Sequence, residues 1–220
     1  VNFSDINGSI ENGTIILCDA PGRNDTAGPE VDIANSVSIQ RVIQCSQSVR
    51  PVFLTSFKGQ GDRLEGIKDL IHFIKEMIVD AEYHTKSLTF IFTKFPKNKR
   101  KEIHASINTL MKDMDAIERA DKTYAAILQD MLAKTKNSEL IAIDPIEDKE
   151  PGATLDRISE ARPIARPEEV FKFALSEKSK AVLKEQISLH RNTILKALER
   201  SDFELIKYKL EELNSLQELI

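Results

Sequence analysis

Short apolar runs recur along this chain, separated by segments of helical periodicity, and that alternation constrains the fold more than any other feature. The runs are Thr14-Ile15-Ile16-Leu17-Cys18, Val52-Phe53-Leu54-Thr55, Leu88-Thr89-Phe90-Ile91-Phe92 and Leu140-Ile141-Ala142-Ile143. Each has the length and β-branched or aromatic content of a buried strand. Between them, Ile33, Val37, Val42 and Cys45 can share one helical face, and Leu64, Ile67, Leu70, Ile71, Ile74 and Ile78 do so more strictly. Further helical spacing runs from 102 to 117 and from 124 to 132. Strands linked by helices of this length require crossovers, so the pattern predicts an α/β fold with a mainly parallel sheet and helices on both faces.

The composition shifts after Asp144-Pro145. Pro151, Gly152, Pro163 and Pro167 mark a linker, and from about Glu168 onward the pattern is helical without a further strand. An α/β domain over 1–150 and a linker with a helical C-terminal extension over 151–220 follow. Ser201 and Glu204 have capping-box spacing, and Phe203, Ile206, Leu210 and Leu213 repeat at steps of three and four. That stripe can dock on the α/β body or zip with another chain as a homo- or hetero-oligomer. One kinked helix and two separate helices both satisfy the pattern.

With 220 residues, 41% hydrophobic and 30% charged, the chain can bury one sizeable core plus an accessory segment. Lys and Arg total 31 against 35 for Asp and Glu, a balance that does not point to nucleic acid as an obligatory partner. Cys18 and Cys45 make no metal spacing or disulfide framework, and Cys18 reads as an inert small hydrophobe inside its strand. No apolar run reaches the roughly 20 residues that span a bilayer, so the reading is a soluble, cytoplasmic protein. Val1 in place of Met, and an end inside a helical pattern at Leu219-Ile220, predict a piece of a longer protein.

The chemistry is concentrated in Asp19-Ala20-Pro21-Gly22, directly after the first apolar run. A carboxylate at the carboxyl end of a parallel strand sits where open α/β sheets bind ligands. There it can hold Mg²⁺ through water, and a nearby Gly lets a backbone N–H approach a terminal phosphate without a Cβ in the way.

The stretch Ile15-Ile16-Leu17-Cys18-Asp19-Ala20-Pro21-Gly22 resembles the Walker B strand and Asp-x-Pro-Gly switch of P-loop GTPases, and the helix, strand, helix and strand that follow resemble the second half of that fold. The resemblance covers roughly 10–145, and the long switch segment and helical tail are closer to septin or immunity-associated relatives than to small signalling members. It implies that Asp19 serves the Mg²⁺ shell and that the Gly22 amide senses the γ-phosphate. Thr93-Lys94-Phe95-Pro96 falls at the Asn/Thr-Lys-x-Asp motif, so the resemblance places Thr93 and Lys94 beside the guanine of GTP, with the Lys94 stem along the ring. Pro96 stands where the base-reading Asp belongs and offers no acceptor. Arg23 stands where a water-orienting Gln is common, and Arg has donors only, which implies slow hydrolysis or a partner group.

A Walker A loop, Gly-x-x-x-x-Gly-Lys-[Ser/Thr], is missing from the chain. Gly61-Asp62-Arg63-Leu64-Glu65-Gly66 comes nearest, but Lys68 falls one place late and the string follows the wrong strand. Only 18 residues precede Asp19, so the phosphate-binding half is expected upstream of Val1. The expectation is an incomplete GTPase domain whose parent binds GTP–Mg²⁺ and hydrolyses it slowly as a switch, with no catalytic residue assigned in this chain. The alternative is a degenerate, non-catalytic module acting in protein assembly through its helices. The run Lys94-Phe95-Pro96-Lys97-Asn98-Lys99-Arg100-Lys101 carries five basic residues and no acid, and reads as a solvated turn.

Overall fold

The computed structural model describes residues 16–20, 28–61, 64–136, 140–144, 148 and 152–219. Their elements are α1 (Pro29–Gln44), β1 (Val52–Ser56), α2 (Glu65–Met77), β2 (Thr89–Thr93), α3 (Glu102–Lys112), α4 (Ala116–Ala120), α5 (Lys122–Lys134), β3 (Ala142–Ile143), α6 (Gly152–Glu160), α7 (Pro167–Val170), α8 (Glu177–Glu199) and α9 (Phe203–Leu219). The described chain forms two compact units, 46–172 and 16–45 with 173–220.

The first unit is α/β. Its small sheet is wholly parallel, ordered β1-β2-β3, with Val52 opposite Thr89, Ser56 opposite Thr93 and Thr93 opposite Ile143. Three of the expected strands therefore form, each within a residue or two of its apolar run. The helices between the strands pack together, with α5 beside both α2 and α3. Ile67, Ile71 and Ile74 of α2, Ile107 of α3, and Tyr124, Ile127, Leu128 and Met131 of α5 are fully buried. Phe53 and Phe90 supply the sheet side, their rings 6.2 Å apart, and the Lys134 ammonium of α5 lies 5.6 Å from the Phe90 ring centre.

Coverage of both faces was the expectation, and it needs correction at β1. Leu54 points opposite to Phe53 and is 61% exposed, whereas Ile91, its partner on the same face of β2, is 4% exposed, so the second face is covered at the central strand and open at β1.

The apolar run at 14–18 is corrected as well. Positions 14 and 15 lie outside the described residues, and 16–18 form no strand: Ile16 is 83% exposed, Leu17 56%, and Cys18 is exposed rather than buried. An apolar run becomes a strand only where a neighbour completes its backbone ladder, and among the described residues none pairs with it.

The expected linker also has structure. It contains α6 and α7, and residues 161–172 are stitched to the amino-terminal rim of the sheet. Val49 and Ile164 exchange backbone hydrogen bonds of 3.0 and 2.9 Å, Arg50 Nε donates to the Ala161 carbonyl at 2.9 Å, and Ile78 bridges antiparallel to Phe171. Prolines here interrupt helices without freeing the chain.

The second unit is helical. The Asp32 carboxylate on α1 accepts from Ser179 Oγ at 2.6 Å and from the Ser176 N–H at 3.1 Å, which pins the start of α8 to α1. α8 and α9 are two helices packed as a hairpin. The expected cap at Ser201 is displaced by one residue: Ser201 takes a left-handed φ of 55°, and Asp202 Oδ1 accepts the Leu205 N–H at 3.1 Å.

Candidate functional site

All three strands run the same way, so their carboxyl ends share one rim. Ser56, Thr93 and Ile143 lie side by side there, and two hydrogen bonds close the ladder beyond them: Phe57 N–H to the Thr93 carbonyl and Lys94 N–H to the Ile143 carbonyl, each 3.0 Å. Thr93 is buried, whereas Lys94 is exposed with a left-handed φ of 57°. That conformation costs a non-glycine residue about 1–2 kcal/mol. The cost is offset next door, where Phe95 turns inward to meet the Phe57 ring at 5.2 Å and the Phe92 ring at 5.9 Å, both edge-on. Burying one such side chain is worth about 1.5–3 kcal/mol. Phe95 thus anchors the loop and leaves Lys94 at the rim and Pro96 exposed.

The loop that follows is tied across the rim to the exit of β3. Arg100 Nη2 donates to Asp148 Oδ2 at 2.7 Å, and the same oxygen accepts the Asp144 N–H at 2.6 Å. The Asp148 N–H donates back to the Asp144 carbonyl at 2.8 Å, closing a small turn. The Asp144 amide first, and the Arg100 guanidinium second, hold the Asp148 carboxyl below the usual carboxylate range. Lys99 pairs with Glu102 at 2.9 Å. The basic run is therefore only partly solvated, since Arg100 is a structural clamp.

At the exit of β1, Lys58-Gly59-Gln60 makes a tight 3-10 turn and Gly61 follows at φ 67°. A Cβ on Gly66, in the first turn of α2, would stand 1.9 Å from the Gly59 carbonyl oxygen. Gly66 of the 61–66 string thus serves close packing of this turn on α2, and Gly61 serves the turn by its positive φ, with Asp62 and Arg63 outside the described residues.

Further shifted acid–base groups lie in the helical layer. Lys68 pairs with Glu118 at 2.7 Å, and Lys75 pairs with Asp121, which also accepts the Tyr124 N–H at 2.9 Å. The hydrogen bond from Lys68 lowers the Glu118 pKa, and burial pushes the Tyr124 hydroxyl up to about 12. Burial raises Asp130 against the opposing pull of Lys134, whose ammonium also donates to the Thr85 and Leu88 carbonyls at 2.6 and 2.7 Å. These pairs staple helices to the sheet and to one another.

Of the residues singled out in the sequence, the fold brings Thr93 and Lys94 together at the rim. It does not carry Asp19 there on a strand of the sheet: Asp19 is exposed and belongs to the second unit. Gly22 and Arg23 lie outside the described residues. As a Mg²⁺ ligand set, Asp19 is a single carboxylate, and no group of three or more metal-binding side chains occurs among the described residues. A Mg²⁺ ion keeps several waters and is held by one or two carboxylates plus substrate phosphates, so Asp19 suits that ion only alongside a bound triphosphate.

Sequence reasoning missed the Arg100–Asp148–Asp144 turn, because partners 48 positions apart have no signal in local spacing. The Asp-Pro pair directly after a strand was its only visible trace. No helix among the described residues is long and apolar enough to cross a membrane. No family model, no curated protein and no solved structure matches the chain.

Proposed function

We propose that this chain is the second half of a GTPase-type nucleotide-binding domain, whose complete form binds GTP with Mg²⁺ and hydrolyses it slowly as a switch. One observation carries the reading: a parallel sheet in simple outward order with Thr93-Lys94 at the carboxyl end of its central strand. In doubly wound sheets the strands of each half follow outward from a switch point, and the ligand lies at their carboxyl ends. The order β1-β2-β3 is what one such half supplies, with β1 innermost.

On this reading Thr93 and Lys94 border the guanine, Asp19 serves the metal shell and the Gly22 amide senses the terminal phosphate. When bound, Mg²⁺ would neutralise charge on the phosphates. The run before Asp19 would join the sheet as a further strand beside a neighbour from the upstream half, and Ile16 and Leu17 are exposed in this chain. The chain itself lacks the Lys and the nest of N–H groups that hold most of the phosphate charge. Titration with a fluorescent GTP analogue should therefore show no micromolar binding to residues 1–220. A chain extended upstream through a Walker A loop should bind in that range and need Mg²⁺. If such an extension still fails to bind, the reading is lost.

A second reading, a non-catalytic assembly module, is favoured by the apolar side chains exposed on the hairpin, among them Leu198, Phe203 and Leu210. An intact upstream region without a Walker A string supports it over the first.

A further inference from the structure

Resting on the assembly reading, we infer that one face of the α8/α9 hairpin, carrying Ile187, Leu195, Leu198, Phe203 and Leu210, pairs with the same face of a second copy of this chain in a two-fold four-helix bundle. All five side chains are exposed.

The two helices present this face together. On α8 the inward side holds the buried Ala197 and His190, whose Nδ1 lies 3.5 Å from Glu212 Oε2 on α9. The next residues in the chain, Arg191 and Leu198, are exposed. On α9, Lys209 and Glu212 are half-buried, and the residue after Lys209 is the exposed Leu210. One position on a helix is a rotation of about 100°. The helices of a hairpin run in opposite directions, so the same rotation from two facing sides carries both stripes to one side. Ile187, Arg191, Leu195 and Leu198 follow one another at steps of three and four, and Phe203 stands two turns before Leu210.

Charge identifies the occupant. α8 carries five bases against three acids, and α9 carries two bases against four acids. One helix is net basic and the other net acidic by the same amount, so the hairpin as a whole is neutral and self-complementary. A neutral hairpin has no net attraction to an anionic lipid surface. A second hairpin related by a two-fold axis along the helices sets each α8 against the α9 of the other copy, with opposite charges facing and every neighbour antiparallel. Laying α8 on the α8 of the other copy would oppose like charges. Arg191 lies within the α8 stripe, where its stem covers apolar surface and its guanidinium reaches toward the acidic helix. So small an interface belongs to the weak, transient class, with dissociation on the order of 100 µM. The dilute chain of an unfolding experiment is then monomeric, with Leu198 in water.

The test is sedimentation equilibrium of the full 220-residue chain from about 10 to about 500 µM, a range that brackets weak association. The wild-type chain should dimerise, less so at high salt. Phe203→Ser with Leu210→Ser should weaken the dimer about tenfold or more, with the helical circular dichroism unchanged because both positions are exposed. Lys184→Glu with Arg191→Glu makes both helices acidic and should abolish association. Adding Glu204→Lys and Glu211→Lys to that variant exchanges the two signs and should restore it. A dimer that ignores these substitutions forms through another surface and overturns the inference. A monomer at every concentration overturns it too, yet leaves the assembly reading standing with a different protein as partner, since that reading falls separately, on a Walker A string upstream.

Discussion

The two units of this chain bury their apolar residues very differently. In the unit of 46–172, α2 places Ile67, Ile71 and Ile74 entirely out of water, and α5 does the same with Ile127, Leu128 and Met131. In the hairpin of the other unit, Leu198 is 52% exposed, Phe203 71% and Leu210 47%. Both regions carry apolar residues at helical spacing. The difference shows that periodicity announces an apolar face, while the supply of a matching surface decides whether water leaves it.

The sharpest way to break this contrast is a pair of truncations. Ile71→Ala should destabilise the chain by about 2–5 kcal/mol, because it removes transfer energy and leaves a cavity. Leu198→Ala should stay within about 0.5 kcal/mol, as exposed substitutions do. Urea unfolding followed by circular dichroism compares them directly, and equal costs would erase the distinction.

Gly66→Ala comes next. Its methyl would collide with the Gly59 carbonyl, and backbone must move to admit it. A loss of about 1–3 kcal/mol is expected from such overpacking. Thermal unfolding indistinguishable from wild type would show that the 58–61 turn does not rest on α2.

A smaller effect sharpens the hairpin side. Asp202→Ala should cost about 1 kcal/mol of local stability by removing the cap of α9, whereas Ser201→Ala should cost little. Amide exchange in the first turn of α9 reads the two separately, and the reverse ranking would restore the capping box expected from Ser201 and Glu204.

The smallest effect is acid dependence in the helical layer. Glu118 is held below its ordinary value of 4.5 by the Lys68 hydrogen bond. A lowered folded pKa means that the unfolded chain binds the proton more tightly. Stability from this pair is therefore present above pH 4.5 and lost as pH falls through the folded value. Glu118→Gln should flatten that acid limb by about 1 kcal/mol or less, the scale of a partly exposed ion pair. An unchanged limb in urea titrations at pH 7 and pH 3 would remove the pair from the account.

Much of the sheet was legible in the sequence. Val52–Thr55, Leu88–Phe92 and Leu140–Ile143 are apolar and bounded by breakers, and strands form within each. The run at Ile15–Cys18 has the same signature, and its described part stays exposed outside the sheet. The two cases look alike locally because a strand's stability lies in its neighbour. At the rim, Thr93 and Lys94 were found from motif spacing after a strand. Arg100 and Asp148 were not, since a basic run and a lone acid are unremarkable until the fold brings them to 2.7 Å.

Local chemistry is what the sequence determined by itself: which segments are apolar on one face, where prolines end helices, and that Asp19 and Lys94 each follow a short apolar run. These depend on residues within a turn or two of one another. Tertiary structure alone decided which apolar runs found ladder partners, that α5 packs beside α2, that residues 161–172 strap the amino-terminal rim, and that Asp144 emerges beside Lys94. Each of those outcomes turns on surfaces meeting across 37 or more positions of chain, where burial and backbone pairing are settled jointly and no single segment holds the answer.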